Sequence, residues 1–71
     1  QQHKGAGRLL LNFIIEEAKK SGAGFIELNV NRHNQSALNF YFKNDFITIK
    51  EEDIDIGSGY FMNDYVMQKK L

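Results

Sequence analysis

The stretch QHKGAGRLLL, Gln2–Leu11, decides how the rest of this 71-residue chain is interpreted. Two glycines, Gly5 and Gly7, stand immediately before a segment with the apolar spacing of an amphipathic helix. A glycine-rich turn that leads into a helix offers unpaired backbone N–H groups and the positive end of the helix dipole. Together these features predict a site for a phosphate group.

The remaining sequence predicts the element order helix, strand, helix, strand, strand. The predicted elements are a helix from Gly7 to about Lys20, a strand over Phe25–Val30, a helix over Gln35–Lys43, a strand over Phe46–Lys50 that extends at most to Glu52, and a strand over Tyr60–Met67. Asn34 is a good N-cap for the second helix, and Asn44-Asp45 predicts its end. This order favours an α/β fold with a parallel step followed by a hairpin.

The composition excludes several classes of function. Hydrophobic residues make up 42% of the chain, charged residues 25%, and the formal net charge is zero. Scattered basic residues without an excess argue against a nucleic-acid partner. Cysteine is absent and the two histidines are far apart in sequence, so no metal site is predicted. No apolar run approaches the roughly 20 residues of a membrane span and no signal peptide is present, so we expect a cytoplasmic protein with no membrane partner.

The start of the chain predicts a partial domain. The first residue is Gln1 rather than methionine, and no strand precedes the glycine turn, although a strand normally positions a phosphate loop. A chain of this length also buries only about 60% of the surface that its unfolded form exposes. We therefore expect residues 1–71 to form a single partial domain whose N-terminal half is absent.

Two common phosphate motifs do not fit the glycine turn. A dinucleotide-binding fingerprint requires a third small residue at position 10, where the chain has Leu10. A P-loop requires Gly-Lys-Ser/Thr, which does not occur in the sequence. The glycine turn is therefore neither a dinucleotide-binding fingerprint nor a P-loop.

Three sequence blocks resemble the Gcn5-related N-acetyltransferases, the GNAT superfamily. QxxGxG, Gln2–Gly7, at a helix start is similar to the family's acetyl-CoA pyrophosphate loop. LxVxxxNxxAxxFYxxxDF, Leu28–Phe46, resembles the family's strand, asparagine, helix and tyrosine block, with Asp45 where members usually have glycine. YxMxKxL, Tyr65–Leu71, is similar to the usual last strand. The resemblance implies the C-terminal half of an acyl-CoA N-acyltransferase fold with a mixed sheet.

The resemblance also implies a function and a set of site residues. It implies an acetyl-CoA-dependent N-acetyltransferase in which a primary amine attacks the acetyl thioester directly. The implied catalytic residue is Tyr41, which would protonate or hydrogen-bond the departing thiolate. No metal is implied, and acetyl-CoA is a co-substrate. The implied cofactor-binding residues are Gln2, His3, Lys4, Gly5, Ala6, Gly7, Arg8 and Asn34. Glycine in the turn would allow close approach of phosphate and a positive φ.

Each assignment has a structural alternative. The glycine turn can serve as a plain helix entry, and Asn34 as a helix cap alone. Tyr41 can be a core aromatic flanked by Phe40 and Phe42, although three consecutive aromatics on a helix cannot all face one core. The acidic run Glu51–Asp55 either attracts an amine or forms a solvated hairpin face.

A second function hypothesis belongs to a different class. In it the chain is a non-catalytic fragment or interaction module, and the unpaired edge of the Phe25–Val30 strand pairs with a second copy to form a homodimer.

Overall fold

The computed structural model describes residues 4–71 as a three-stranded sheet with both helices packed on one face. The elements are α1 (Lys4–Lys20), β1 (Phe25–Asn31), α2 (Gln35–Lys43), β2 (Ile47–Gly57) and β3 (Tyr60–Lys70). The predicted order of elements is confirmed. The hairpin is longer than predicted, because residues 53–57, which lie between the two predicted strands, belong to β2 and lengthen its pairing with β3.

The strand order is β1-β3-β2, and β3 pairs antiparallel with each neighbour. Met67 of β3 lies opposite Leu28 on one side and opposite Thr48 on the other. β1 and β2 therefore run in the same direction, as a helical crossover predicts, but β3 lies between them. The mixed sheet expected from the sequence is corrected accordingly: within the described residues every pairing is antiparallel.

The core lies between the helices and the inner face of the sheet. Alternation along β1 turns Ile26, Leu28 and Val30 toward the helices. The buried members of the core come from helices, strands and the turn before β2, and they are Leu11, Val30, Leu38, Phe46 and Met67. We call this side the covered face and the opposite side, on which the described residues place no helix, the open face.

The turn after α2 fixes how the second helix meets the sheet. Asp45 has a positive φ of 70°. Its N–H donates to the Phe42 carbonyl at 3.2 Å, and the Phe46 N–H donates to the Tyr41 carbonyl at 3.0 Å. This hydrogen-bond pair is a Schellman motif, and the edge-to-face contact between Tyr41 and Phe46, with centroids 5.1 Å apart, supplies its apolar contact. The prediction that Asn44-Asp45 ends the helix is confirmed.

α1 is only partly packed. Leu11 is buried and Ile15 is partly buried against the core. The other large apolar residues of this amphipathic helix are exposed. The exposed apolar residues of α1 are Leu9, Leu10, Phe13 and Ile14. Among residues 4–71, neither helix is long and apolar enough to cross a membrane.

Candidate functional site

The predicted phosphate turn forms the first turn of α1. Residues Lys4–Arg8 are helical, so the expectation of a loop before a helix beginning at Gly7 is corrected for this part. Gly5 and Gly7 do not have positive φ; the glycines that do are Gly22, Gly57 and Gly59. A positive φ is therefore not the reason for glycine at either position.

Three of the predicted cofactor-binding residues lie wholly or partly outside the residues that the structure describes. Gln2 and His3 lie outside the described residues, and so does the side chain of Lys4. Their assignment to the cofactor stays a prediction. Ala6 and Arg8 are exposed at the start of α1.

The two glycines differ in their surroundings. A Cβ on Gly5 would have no heavy atom of the described residues within 4 Å, so those residues leave the backbone open on that side. A Cβ on Gly7 would lie 3.7 Å from Cε1 of Phe40, an ordinary van der Waals distance. The first turn of α1 therefore lies beside α2 at Gly7 and is open at Gly5. This arrangement fits a phosphate group, which would bind the N–H groups of the helix start.

Asn34 caps α2 as predicted. Its Oδ1 accepts a hydrogen bond from the Ala37 N–H at 3.2 Å and another from the Ser36 hydroxyl at 3.2 Å. The cap satisfies a backbone donor that the helix itself leaves unpaired. A contact between Asn34 and the cofactor stays a prediction, because the cap by itself accounts for an asparagine here.

Tyr41 is half-buried between two aromatic rings. Its ring lies edge-to-face with Phe40, at 5.3 Å between centroids and 78° between planes, and with Phe46. Within the described residues its hydroxyl makes no hydrogen bond. Phe42 is 48% exposed, which confirms that one of the three consecutive aromatics points away from the core. Tyr41 thus packs as a core aromatic while its hydroxyl is available to a ligand.

Comparison with known proteins agrees with this geometry. The model of the acetyltransferase (GNAT) family matches residues 1–46. A solved structure, described as the acetyltransferase of the GNAT family from Streptococcus pneumoniae, is 34% identical and superposes with a TM-score of 0.79. The chain belongs to the GNAT acetyltransferase family. No curated protein matches it.

The family match confirms both the resemblance and the fold. The superposition covers 96% of this GNAT chain and 42% of the Streptococcus pneumoniae chain. The chain therefore spans less than half the length of that relative. The match to the family model ends at Phe46, so only the structural match assigns β2 and β3 to the family fold.

Sequence reasoning missed a salt-bridge cluster on the covered face of this GNAT chain. Arg32, directly after β1, donates to Glu51 Oε1 at 2.6 Å and also to Asp53 of β2. Its guanidinium lies 5.8 Å from the centroid of the Tyr65 ring. The acidic run is thus used partly to join β2 to the end of β1. The available signal was the spacing of Glu51 and Asp53, two residues apart and therefore on one face of a strand.

A second cluster missed by sequence reasoning lies on the open face. The Asn29 amide donates to Glu52 Oε1 at 3.0 Å and to Asp64 Oδ2 at 3.3 Å. Lys50 Nζ lies 3.3 Å from Glu52 Oε2. The hydrogen bond from Asn29, followed by the one from Lys50, lowers the pKa of Glu52. Alternation along β1 places Asn29 opposite the core-facing residues, but the cluster itself needs all three strands.

Proposed function

We propose that this GNAT chain is the cofactor-binding part of an acetyl-CoA-dependent N-acetyltransferase. The observation that carries the proposal is the start of α1, where the backbone at Gly5 is open and Gly7 lies against α2. Acetyl-CoA supplies an acetyl thioester that a primary amine attacks directly. The backbone N–H groups of Gly5–Arg8 bind the pyrophosphate, with the helix dipole favouring its negative charge.

Tyr41 acts at the leaving group in this proposal. The contacts with Phe40 and Phe46 fix its ring. A fixed hydroxyl can donate a hydrogen bond to a thiolate as negative charge develops on the sulfur. The same hydroxyl can supply the proton that the thiolate finally takes.

The cofactor part of the proposal is tested by NMR. CoA is titrated into the ¹⁵N-labelled chain, and the amide signals of Gly5, Ala6, Gly7 and Arg8 are followed. We expect selective, saturable shifts at these amides. Gly22 and Gly24, which follow the other end of α1, are the matched controls and should not move. Unchanged Gly5–Arg8 signals in a well-dispersed spectrum would contradict the proposal.

The role of Tyr41 is tested by Tyr41→Phe in a form of the protein that acetylates an amine. The change keeps the ring contacts and removes only the hydroxyl. We expect kcat to fall at least about tenfold, since positioned proton donors contribute that much or more. Phe42→Leu, at an exposed neighbouring position, is the control. Turnover of Tyr41→Phe within about twofold of the parent would leave Tyr41 a packing residue.

The proposal extends to the partners and the compartment. The acceptor is an amine, and nucleic acid and membrane are not partners, since the chain has no net charge. The proposed compartment is the cytoplasm.

Self-association is the second candidate function, because β1 is an outer strand. In the order β1-β3-β2, one edge of β1 has no partner strand within the described residues. An open edge presents backbone groups that can pair with a second copy. Sedimentation at several concentrations tests the homodimer, and Phe25→Lys, at an exposed position of this strand, should weaken it. A strictly monomeric, cooperatively folded chain would exclude this function.

A further inference from the structure

The open face contains a buried carboxylate that lacks a partner. Asp64 is only 3% exposed, yet among the described residues its Oδ1 accepts no hydrogen bond. Its Oδ2 accepts from the Asn29 amide, which also binds Glu52. Each of the two N–H bonds of that amide therefore has its own acceptor, and Asn29 has no further donor for Oδ1. A buried carboxylate oxygen without a donor is costly, so this oxygen calls for a donor from outside the cluster.

The donor that suits this position carries a positive charge. Glu52 lies directly opposite Asp64 in the strand pairing, so two carboxylates share one amide. Lys50 pairs with Glu52 instead, since its Nζ is 3.3 Å from the other oxygen of Glu52. An ammonium ion can donate to Asp64 and offset the remaining negative charge, and such charge-assisted hydrogen bonds are stronger than neutral ones.

The neighbouring row of side chains suits an aliphatic stem. Ile54 and Met62 lie opposite each other, two residues beyond Glu52 and Asp64, and so on the same face. They are 38% and 42% exposed, respectively. An apolar pair beside a carboxylate pair matches a ligand whose charged end and alkyl chain are adjacent.

We propose that Asp64, with Glu52 and Asn29, binds the ammonium group of an aliphatic primary amine, and that this amine is the acetyl acceptor once its nitrogen has released one proton to water and regained the lone pair that attacks the thioester. The acceptor role rests on the proposed function, whereas the binding itself does not. The amine belongs either to a small alkylamine or to a lysine side chain. β1 connects this cluster with the covered face, because Asn29 lies between Leu28 and Val30 of the core.

The test measures amine binding without CoA. n-Butylammonium chloride is titrated at constant ionic strength into the ¹⁵N-labelled chain, and the Asn29 side-chain amide signals are followed. We expect a saturable shift with butylammonium and none with n-butanol, which has the same stem without the charge. Asp64→Asn should weaken binding at least about tenfold, because the hydrogen bond from the ammonium then goes to a neutral oxygen instead of a carboxylate. Asp64→Asn binding butylammonium as tightly as the parent would overturn the site.

Two further variants complete the design. Glu51→Gln removes the same charge from the residue beside Glu52, but on the covered face, and should leave binding unchanged. Glu52→Gln should weaken binding about severalfold and serves as the second variant if Asp64→Asn does not fold. Nα-acetyl-lysine methylamide, whose ε-ammonium is free, serves as a model of a protein lysine. Tighter binding of this compound than of butylammonium would favour a protein lysine as the source of the amine, and equal binding would favour a small amine. Both results support the site.

The outcomes separate this inference from the proposed function. CoA shifts at Gly5–Arg8 without any butylammonium shift would overturn the ammonium site and leave the cofactor site intact. A butylammonium shift without CoA shifts would overturn the cofactor site and leave the ammonium site intact.

Discussion

The two helices pack on the same face of the sheet, but their own sequences support them very differently. α2 has a side-chain cap at Asn34, a Schellman turn at Asp45 and a buried residue, Leu38. α1 contributes Leu11 to the core and leaves four large apolar residues exposed. It also contains glycine at two of its first four positions, although glycine is among the poorest helix formers.

The two sequences therefore differ in how well they suit a helix. The cap, the Schellman turn and Leu38 all stabilise α2 or its connection to the sheet. The glycines of α1 cost helix stability and serve no turn within the described residues, since neither has a positive φ. A local sequence that opposes its own structure is expected where a ligand, rather than the fold, requires those residues.

The largest expected effect on the free energy of unfolding comes from comparing a buried residue of α2 with an exposed residue of α1. Leu38→Ala removes a side chain that is 4% exposed and should lower the free energy of unfolding by about 2–5 kcal/mol. Phe13→Ala, on the exposed side of α1, should change it by less than about 0.5 kcal/mol. Urea denaturation followed by circular dichroism measures both. Comparable losses would show that Phe13 is packed in solution and would remove the contrast.

The second effect concerns the start of α2. Asn34→Ala removes the oxygen that accepts from the Ala37 N–H and should cost about 1 kcal/mol. Asn39→Ala makes the same change inside the helix, where the side chain accepts only from Gln35 at 3.0 Å, and should cost much less. Equal costs in thermal denaturation would mean that the cap contributes nothing of its own.

The features of α2 could be predicted because they depend on adjacent residues. Asn34 and Asp45 act on backbone groups within five positions, and the alternation of β1 names its core-facing residues. The position of β3 between β1 and β2 could not be predicted in this way. It depends on which strand pairs with the edge of β1, and the alternation over Phe25–Val30 is the same whether that strand is β2 or β3.

The candidate site was predictable to the same extent. The glycines and Tyr41 were proposed from motifs that resemble the family's, but the helical state of Lys4–Ala6 was not predicted, because a turn and a first helical turn share the same glycine signal. The periodicity of α1 predicts which residues lie on the same side of the helix, but it does not predict which other part of the molecule covers that side. The Asp64 cluster was missed because it joins residues from three strands.

The third effect tests whether the glycines of α1 serve a ligand. Gly7→Ala places its Cβ at an ordinary distance from Phe40, and the backbone is already helical, so the free energy of unfolding should rise by about 0.8 kcal/mol. CoA binding, measured by the Gly5–Arg8 amide shifts, should weaken at the same time. Gly5→Ala is the control for packing, since its Cβ meets no protein atom within 4 Å. A less stable Gly7→Ala would assign that glycine to the Phe40 contact instead.

The smallest effect concerns the end of α2, where the sequence departs from the family pattern. Asp45 has a φ of 70°, which a residue with a Cβ adopts at a cost, so Asp45→Gly should raise the free energy of unfolding by about 0.5 kcal/mol. The change also removes an ion pair between the partly buried Lys69 and the exposed carboxylate of Asp45, but the pair is long, with Lys69 Nζ 3.8 Å from Asp45, and contributes little. Asp45→Asn separates the two terms, because asparagine tolerates this conformation and carries no charge. If thermal denaturation shows that both variants lose stability, the ion pair outweighs the backbone strain, and the aspartate is then an adaptation of α2 to β3 rather than a tolerated departure.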